Sequence, residues 1–291
     1  MIHHISFADE DSLPKVKHLG YELGLESLMG KTFNFRHGVN VIIGENGSGK
    51  TSLLNVIRKL TLCEGVIGSA DFVVDKMWHA KLHSYVDAGY YDAVKMYTQF
   101  GYCTYNVRKC SDFSRSGPAT AYDAYQIYEG NSGSAGENQR DAIWFCMNYI
   151  QNGGRTKDKK AEFTVNGVYP WMDFEVSVLD ELRKCDTDYA KKAVKWYADN
   201  KFSCKTNKDM KPWSGVTMIA DEPDAGMDIN KLDELYRLYE ATPPHYQHII
   251  AIHNVALIHK LKGIGANIIE VTPGYLEEIE DFLKGNEKCA R

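Results

Sequence analysis

The sequence has no run of 18 apolar residues, and so offers no candidate for a membrane-spanning helix. Its first residues, MIHHISFADEDSLP, lack the basic flank and long apolar core of a secretion signal, which points to the cytoplasm. No Cys-x-x-Cys pair occurs. The 7 cysteines, an odd number, are scattered, which suits reduced thiols and argues against a disulfide framework or a zinc site. The histidine pairs His245/His248 and His253/His259 have no cysteine or carboxylate at matching spacing, so structural histidines are the better reading. There is no excess of positive charge: 34 Lys and Arg against 39 Asp and Glu leave a formal charge of -5. Contact with nucleic acid would therefore need a local patch. Internal repeats, low-complexity tracts and coiled-coil heptads are also missing.

What remains is an ordinary globular composition, 44% hydrophobic and 25% charged over 291 residues, long enough to bury a sizeable core. IHHISF and KTFNF read as short strands. VNVIIG is a continuous apolar run ending in glycine, the pattern of a parallel strand buried on both faces. Residues 85–110 alternate tyrosines and valines with polar residues, which predicts antiparallel strands in a meander beside the main sheet. VTMIAD, HIIAI and NIIEV predict three further strands, the last two separated by the helical VALIHKLKG. Strands alternating with helices define an α/β fold with a mostly parallel sheet.

GENGSGKT, Gly44 to Thr51, matches the G-x-x-x-x-G-K-[ST] pattern of a P-loop. Gly44, Gly47 and Gly49 let the backbone turn tightly, so that the N–H groups of Glu45, Asn46, Ser48 and their neighbours can face phosphate oxygens. The helix that follows, opening at Lys50, Thr51 and Ser52, adds a dipole favourable to an anion. Lys50 would reach the β and γ phosphates, and the Thr51 hydroxyl would bind Mg²⁺. In TMIADEPDAGMD, Asp221 and Glu222 stand at the carboxyl end of a buried strand, the edge at which parallel sheets bind ligands. Asp221 would hold Mg²⁺ through its water shell, and Glu222 would act as general base on the attacking water. Asn230–Asp233, NKLD, fits the guanine-recognition pattern Asn-Lys-x-Asp. It opens a helix, however, where Asn and Asp read as caps.

A third motif, SGSAGENQR at residues 132–140, leads from a small-residue turn into the apolar helix RDAIWFCMNYI. The order of P-loop, S-[GA]-G-[EQ]-x-Q-R, apolar-Asp-Glu-Pro and an apolar strand ending in His253 resembles the ABC-type ATPases, from about Val39 to Asn254. The resemblance implies a P-loop NTPase of ABC-ATPase type over residues 1–291, binding ATP and Mg²⁺ and hydrolysing the ATP. It implies that Ser134, Gly136 and Glu137 contact the nucleotide of a second subunit, so that two copies enclose ATP as a homodimer. His253 would be the switch histidine that senses the γ-phosphate, Asp228 would lie at the dimer seam, and Gln99 would be a metal contact. Gly133, Ala135 and Ile252 depart from the family pattern, which implies slow hydrolysis.

The style of the P-loop segment and the Glu in the signature are closer to the SMC/RecF/OLD-like branch than to transporter subunits. That branch serves DNA repair, chromosome organisation and anti-phage defence. Here, residues 155–212 form a helical insertion between the signature and the acidic strand, with 13 Lys and Arg against 10 Asp and Glu. A lone ATPase domain with an insertion implies a partner effector, a nuclease or toxin, and no membrane. DNA is a further partner that the insertion's lysines would suit. An ATPase subunit of a transporter and a non-hydrolysing ATP clamp stay open as alternatives, as does assembly above the dimer.

Overall fold

A computed structural model describes residues 1–9, 25–60, 90–98, 102–107, 183–199, 215–243 and 246–289. Two sheets organise them. Strands β1 (Ile2–Phe7), β2 (Thr32–Asn34) and β4 (Val94–Thr98) form an antiparallel sheet in the order β2-β1-β4. Strands β3 (Gly38–Ile43), β5 (Tyr102–Val107), β6 (Gly215–Asp221), β7 (Tyr246–Ala251) and β8 (Asn267–Glu270) form a parallel sheet in the order β5-β6-β7-β3-β8. Every residue of β7, and every residue of β3 after Gly38, is buried, so both faces of the sheet are covered. This is the expected mixed α/β architecture.

The helices are α1 (Lys50–Leu60), the short α2 (Tyr90–Ala93), α3 (Asp188–Asp199), α4 (Ile229–Glu240), α5 (Val255–Gly263) and α6 (Tyr275–Cys289). In α1 the apolar positions Leu53, Leu54, Ile57 and Leu60 recur at helical spacing, and all four are fully buried. α1 touches β6 and β7, whereas α5 touches β3 and α4.

Two sequence expectations change. Residues 85–110 do not make a single meander: β4 pairs antiparallel with β1, whereas β5 is the parallel edge partner of β6, with Tyr102 opposite Gly215 and Val107 opposite Ala220. Alternation reports a strand with unlike faces but not the sheet it joins. Nor do Asn230 and Asp233 cap α4. Asp228 does, accepting the N–H groups of Asn230 (2.8 Å) and Lys231 (3.0 Å). Asp233 instead pairs with Arg237 (2.9 Å) and Lys260 (2.8 Å), tying α4 to α5.

The sheets are joined by a buried side-chain amide. Gln247 accepts the Ile2 N–H (2.9 Å) and donates to the Ile2 carbonyl (2.8 Å), so it pairs with β1 as a neighbouring strand would. It also donates to the Arg36 carbonyl (3.0 Å) and accepts the Thr217 hydroxyl (2.9 Å). Asn40, equally buried, bridges the carbonyls of Arg36 (2.8 Å) and His248 (3.0 Å). Within residues 155–212, α3 packs its apolar side inward. Trp196 donates its indole N–H to the Val94 carbonyl (2.8 Å) and meets the Tyr91 ring edge-on. Its lysines are matched by carboxylates: Lys191 with Asp186, Lys192 with Asp92, Lys195 with Asp199. In this helix the pairing favours a solvated face over a phosphate-binding one.

Candidate nucleotide-binding site

Parallel register brings the ends of four strands to one edge. Ala251 is the partner of both Ile42 on β3 and Asp221 on β6, and Ile43 lies opposite Glu270 on β8. The turns leaving β3, β6, β7 and β8 therefore converge at the carboxyl edge, where parallel sheets bind ligands.

The turn after β3 is the predicted P-loop. Glu45, Asn46 and Gly47 are exposed, Ser48, Gly49, Thr51 and Ser52 are partly buried, and Gly44 and Lys50 are buried. Two glycines are required sterically. Gly49 has φ 102°, and a Cβ there would drive into the Ser27 hydroxyl and lie 3.3 Å from Leu28 Cδ2. A Cβ on Gly44 would sit 2.8 Å from Ser48 Oγ and 3.0 Å from Thr272 Oγ1. Lys50 Nζ donates to the carbonyls of Gly44 (2.7 Å) and Glu45 (2.8 Å), curling the loop around its own ammonium. Burial lowers the Lys50 pKa, and the negative charges of Glu222 and Asp221 act against that shift.

Asp221 is fully buried, and its Oδ1 accepts the Thr51 hydroxyl at 3.3 Å. A hydroxyl and a carboxylate side by side are hard oxygen donors that fit Mg²⁺, which takes one or two protein ligands together with phosphate oxygens. Ser48 Oγ is buried and, among the described residues, has no hydrogen-bond partner, which suits a loop built to surround an anion. Among those residues no cluster of three or more His, Cys, Asp or Glu forms a self-sufficient metal cage.

Glu222 follows with φ 51°, the one non-glycine residue described in the left-handed region. Its N–H donates to the Ala251 carbonyl (2.9 Å), and its own carbonyl accepts the Ala225 N–H (3.1 Å). That backbone turn aims the carboxylate at His253, whose Nε2 lies 3.5 Å from Glu222 Oε1, both side chains being partly exposed. His248, within β7, is buried and forms no part of this edge.

Lys50, Thr51, Asp221, Glu222 and His253 are thus brought together. Gln99, Ser134, Gly136 and Glu137 lie outside the described residues. Three contributors were not anticipated from the sequence. Thr272, after β8, accepts the Glu45 N–H at 3.2 Å. Ser27, on a 3-10 turn at Glu26–Leu28, abuts Gly49. Asp224 accepts the Asn254 N–H at 2.9 Å. For Thr272 the signal was its place at the end of a parallel strand; Ser27 had none.

A family model for an AAA domain matches residues 24–62, the stretch from this 3-10 turn through β3, the loop and α1. Together with the loop geometry it supports a P-loop ATPase segment there. No curated protein matches the chain. Among solved structures, the dimeric structure of a bacterial ABC transporter cassette is similar at 11% identity, covering 93% of this chain and 95% of that one, with a TM-score of 0.32. That likeness is too loose to assign fold, function or assembly. Among the described residues no helix is long and apolar enough to cross a membrane.

Proposed function

We propose that this protein is an ATPase that encloses ATP and Mg²⁺ between two copies of itself and passes the nucleotide state to an effector protein. The observation that carries the reading is the convergence of Lys50, Thr51, Asp221, Glu222 and His253 at one sheet edge.

In this reading Lys50 leaves the Gly44 and Glu45 carbonyls for the β and γ phosphates, and the loop N–H groups face the phosphate oxygens. Thr51 and Asp221 would hold Mg²⁺, which offsets phosphate charge when bound. Glu222 takes the proton of the attacking water, and His253 holds the carboxylate and the γ-phosphate in a common frame. Ser134, Gly136 and Glu137 serve the partner copy's nucleotide, since one chain carries a single copy of each half-site. The effector, and a role in anti-phage defence or a DNA transaction, rest on the resemblance of the motif set to the SMC/RecF/OLD-like branch.

Glu222→Gln tests the reading. It keeps the backbone turn while removing the base, so light scattering with Mg·ATP is expected to show a lasting dimer. A variant that stays monomeric with bound ATP would refute the two-copy sandwich.

A further inference from the structure

The turn after β6 and the turn after β7 are held together by more than the strand ladder. Asp224, nine-tenths buried, accepts the backbone N–H of Asn254 through Oδ2 at 2.9 Å. Asn254 in turn caps α5, its side chain accepting the Leu257 N–H at 3.0 Å. His253, the residue just before this cap, faces Glu222. The other Asp224 oxygen, Oδ1, is buried with no hydrogen-bond partner among the described residues. A buried carboxylate of this kind is held by the few N–H groups it reaches, and losing them leaves it exposed to the full cost of desolvation. Burial raises the Asp224 pKa, while the backbone N–H groups of Asn254, Asp224 itself and His253, and the His253 ring, hold it down.

We propose that Asp224 is a positioning residue: its carboxylate fixes the His253–Asn254 backbone against the β6 turn, and so sets the His253–Glu222 distance. The role rests on the ATPase reading above, and adds to it a residue that acts through His253. The bond from Oδ2 to Asn254 restrains the main chain one residue past the histidine. Glu222, two residues before Asp224, is anchored independently by its N–H to Ala251. Both partners of the His253–Glu222 pair are then referred to one rigid junction. Without Asp224 only one of them is.

The test compares Asp224→Ala with Asp224→Asn, which keeps an oxygen able to accept the Asn254 N–H. Hydrogen exchange over residues 252–256 is read first. Asp224→Ala is expected to lose protection there while Asp224→Asn keeps it; equal protection in all three proteins would overturn the proposal. Steady-state ATP hydrolysis is read second. Asp224→Ala is expected to lower kcat on the order of 10- to 100-fold with KM little changed, Asp224→Asn to recover most of it, and Asp224→Ala to add nothing to His253→Ala. A multiplicative double variant, or a change confined to KM, would contradict positioning through His253. If the parent protein hydrolyses no ATP, the ATPase reading falls, and the exchange data still decide whether Asp224 holds the loop.

Discussion

At the scale of single residues, the fold holds side chains where they would not rest alone. Glu222 occupies the left-handed region, which costs a non-glycine residue on the order of 1–2 kcal/mol, and two backbone hydrogen bonds hold it there. His248 is a second case. It is fully buried, with the Tyr239 ring edge-on at 5.1 Å and Tyr246 stacked at 6.4 Å, and burial pushes its pKa down to about 3. The unfolded chain binds a proton on this histidine below about pH 6.5, whereas the folded protein does not until near 3. His248 therefore contributes stability that is complete above the unfolded value and is lost as pH falls, by about 2 kcal/mol at pH 5. Asp224, with its pKa raised by burial, acts in the opposite sense, so total stability alone does not isolate the effect. Comparison of denaturant unfolding for the parent and His248→Phe does. The stability difference between them should move by about 2 kcal/mol in favour of the variant from pH 7.5 to 5; parallel pH curves would contradict this.

At the scale of elements, the antiparallel and parallel sheets meet at Gln247, where one amide serves Ile2, Arg36 and Thr217. Gln247→Leu fits the volume and removes the side-chain partner of the Ile2 N–H and carbonyl and of the Thr217 hydroxyl, while Asn40 still serves the Arg36 carbonyl. It is expected to lower the unfolding free energy by about 3 kcal/mol in chemical denaturation, since each buried orphan costs about 1–3 kcal/mol. A loss under about 1 kcal/mol would mean that the sheets do not rely on this junction. Nothing in YQHIIA announces the role, because its partners are some 200 or more residues away for Ile2 and Arg36. The same physics separates the legible from the illegible elsewhere. β3, β6, β7, β8 and α1 were readable because apolar runs and helical spacing are local signals. Lys50, Thr51, Asp221 and Glu222 were readable because phosphate and Mg²⁺ chemistry demands those residue types at fixed spacing. Thr272, Ser27 and Asp224 act through contacts made only after the sheet assembles. The sheet joined by β5 and the true cap of α4 were settled by tertiary packing and by Asp228, two positions before the residue the motif drew attention to.

At the scale of the whole molecule, one edge of a parallel sheet gathers a lysine, a hydroxyl, two carboxylates and a histidine from three separate strand ends. Among the described residues the lysines of α3 are matched by carboxylates, and the phosphate loop supplies an anion site locally. The AAA-domain match covers the strand, loop and helix of that site. The most direct measurement is phosphate release from Mg·ATP by the parent protein and by Glu222→Gln under identical conditions. The parent is expected to turn over and the variant to lose at least about 100-fold while still binding ATP. Equal rates for the two, or no release by the parent, would contradict an ATPase built on Glu222.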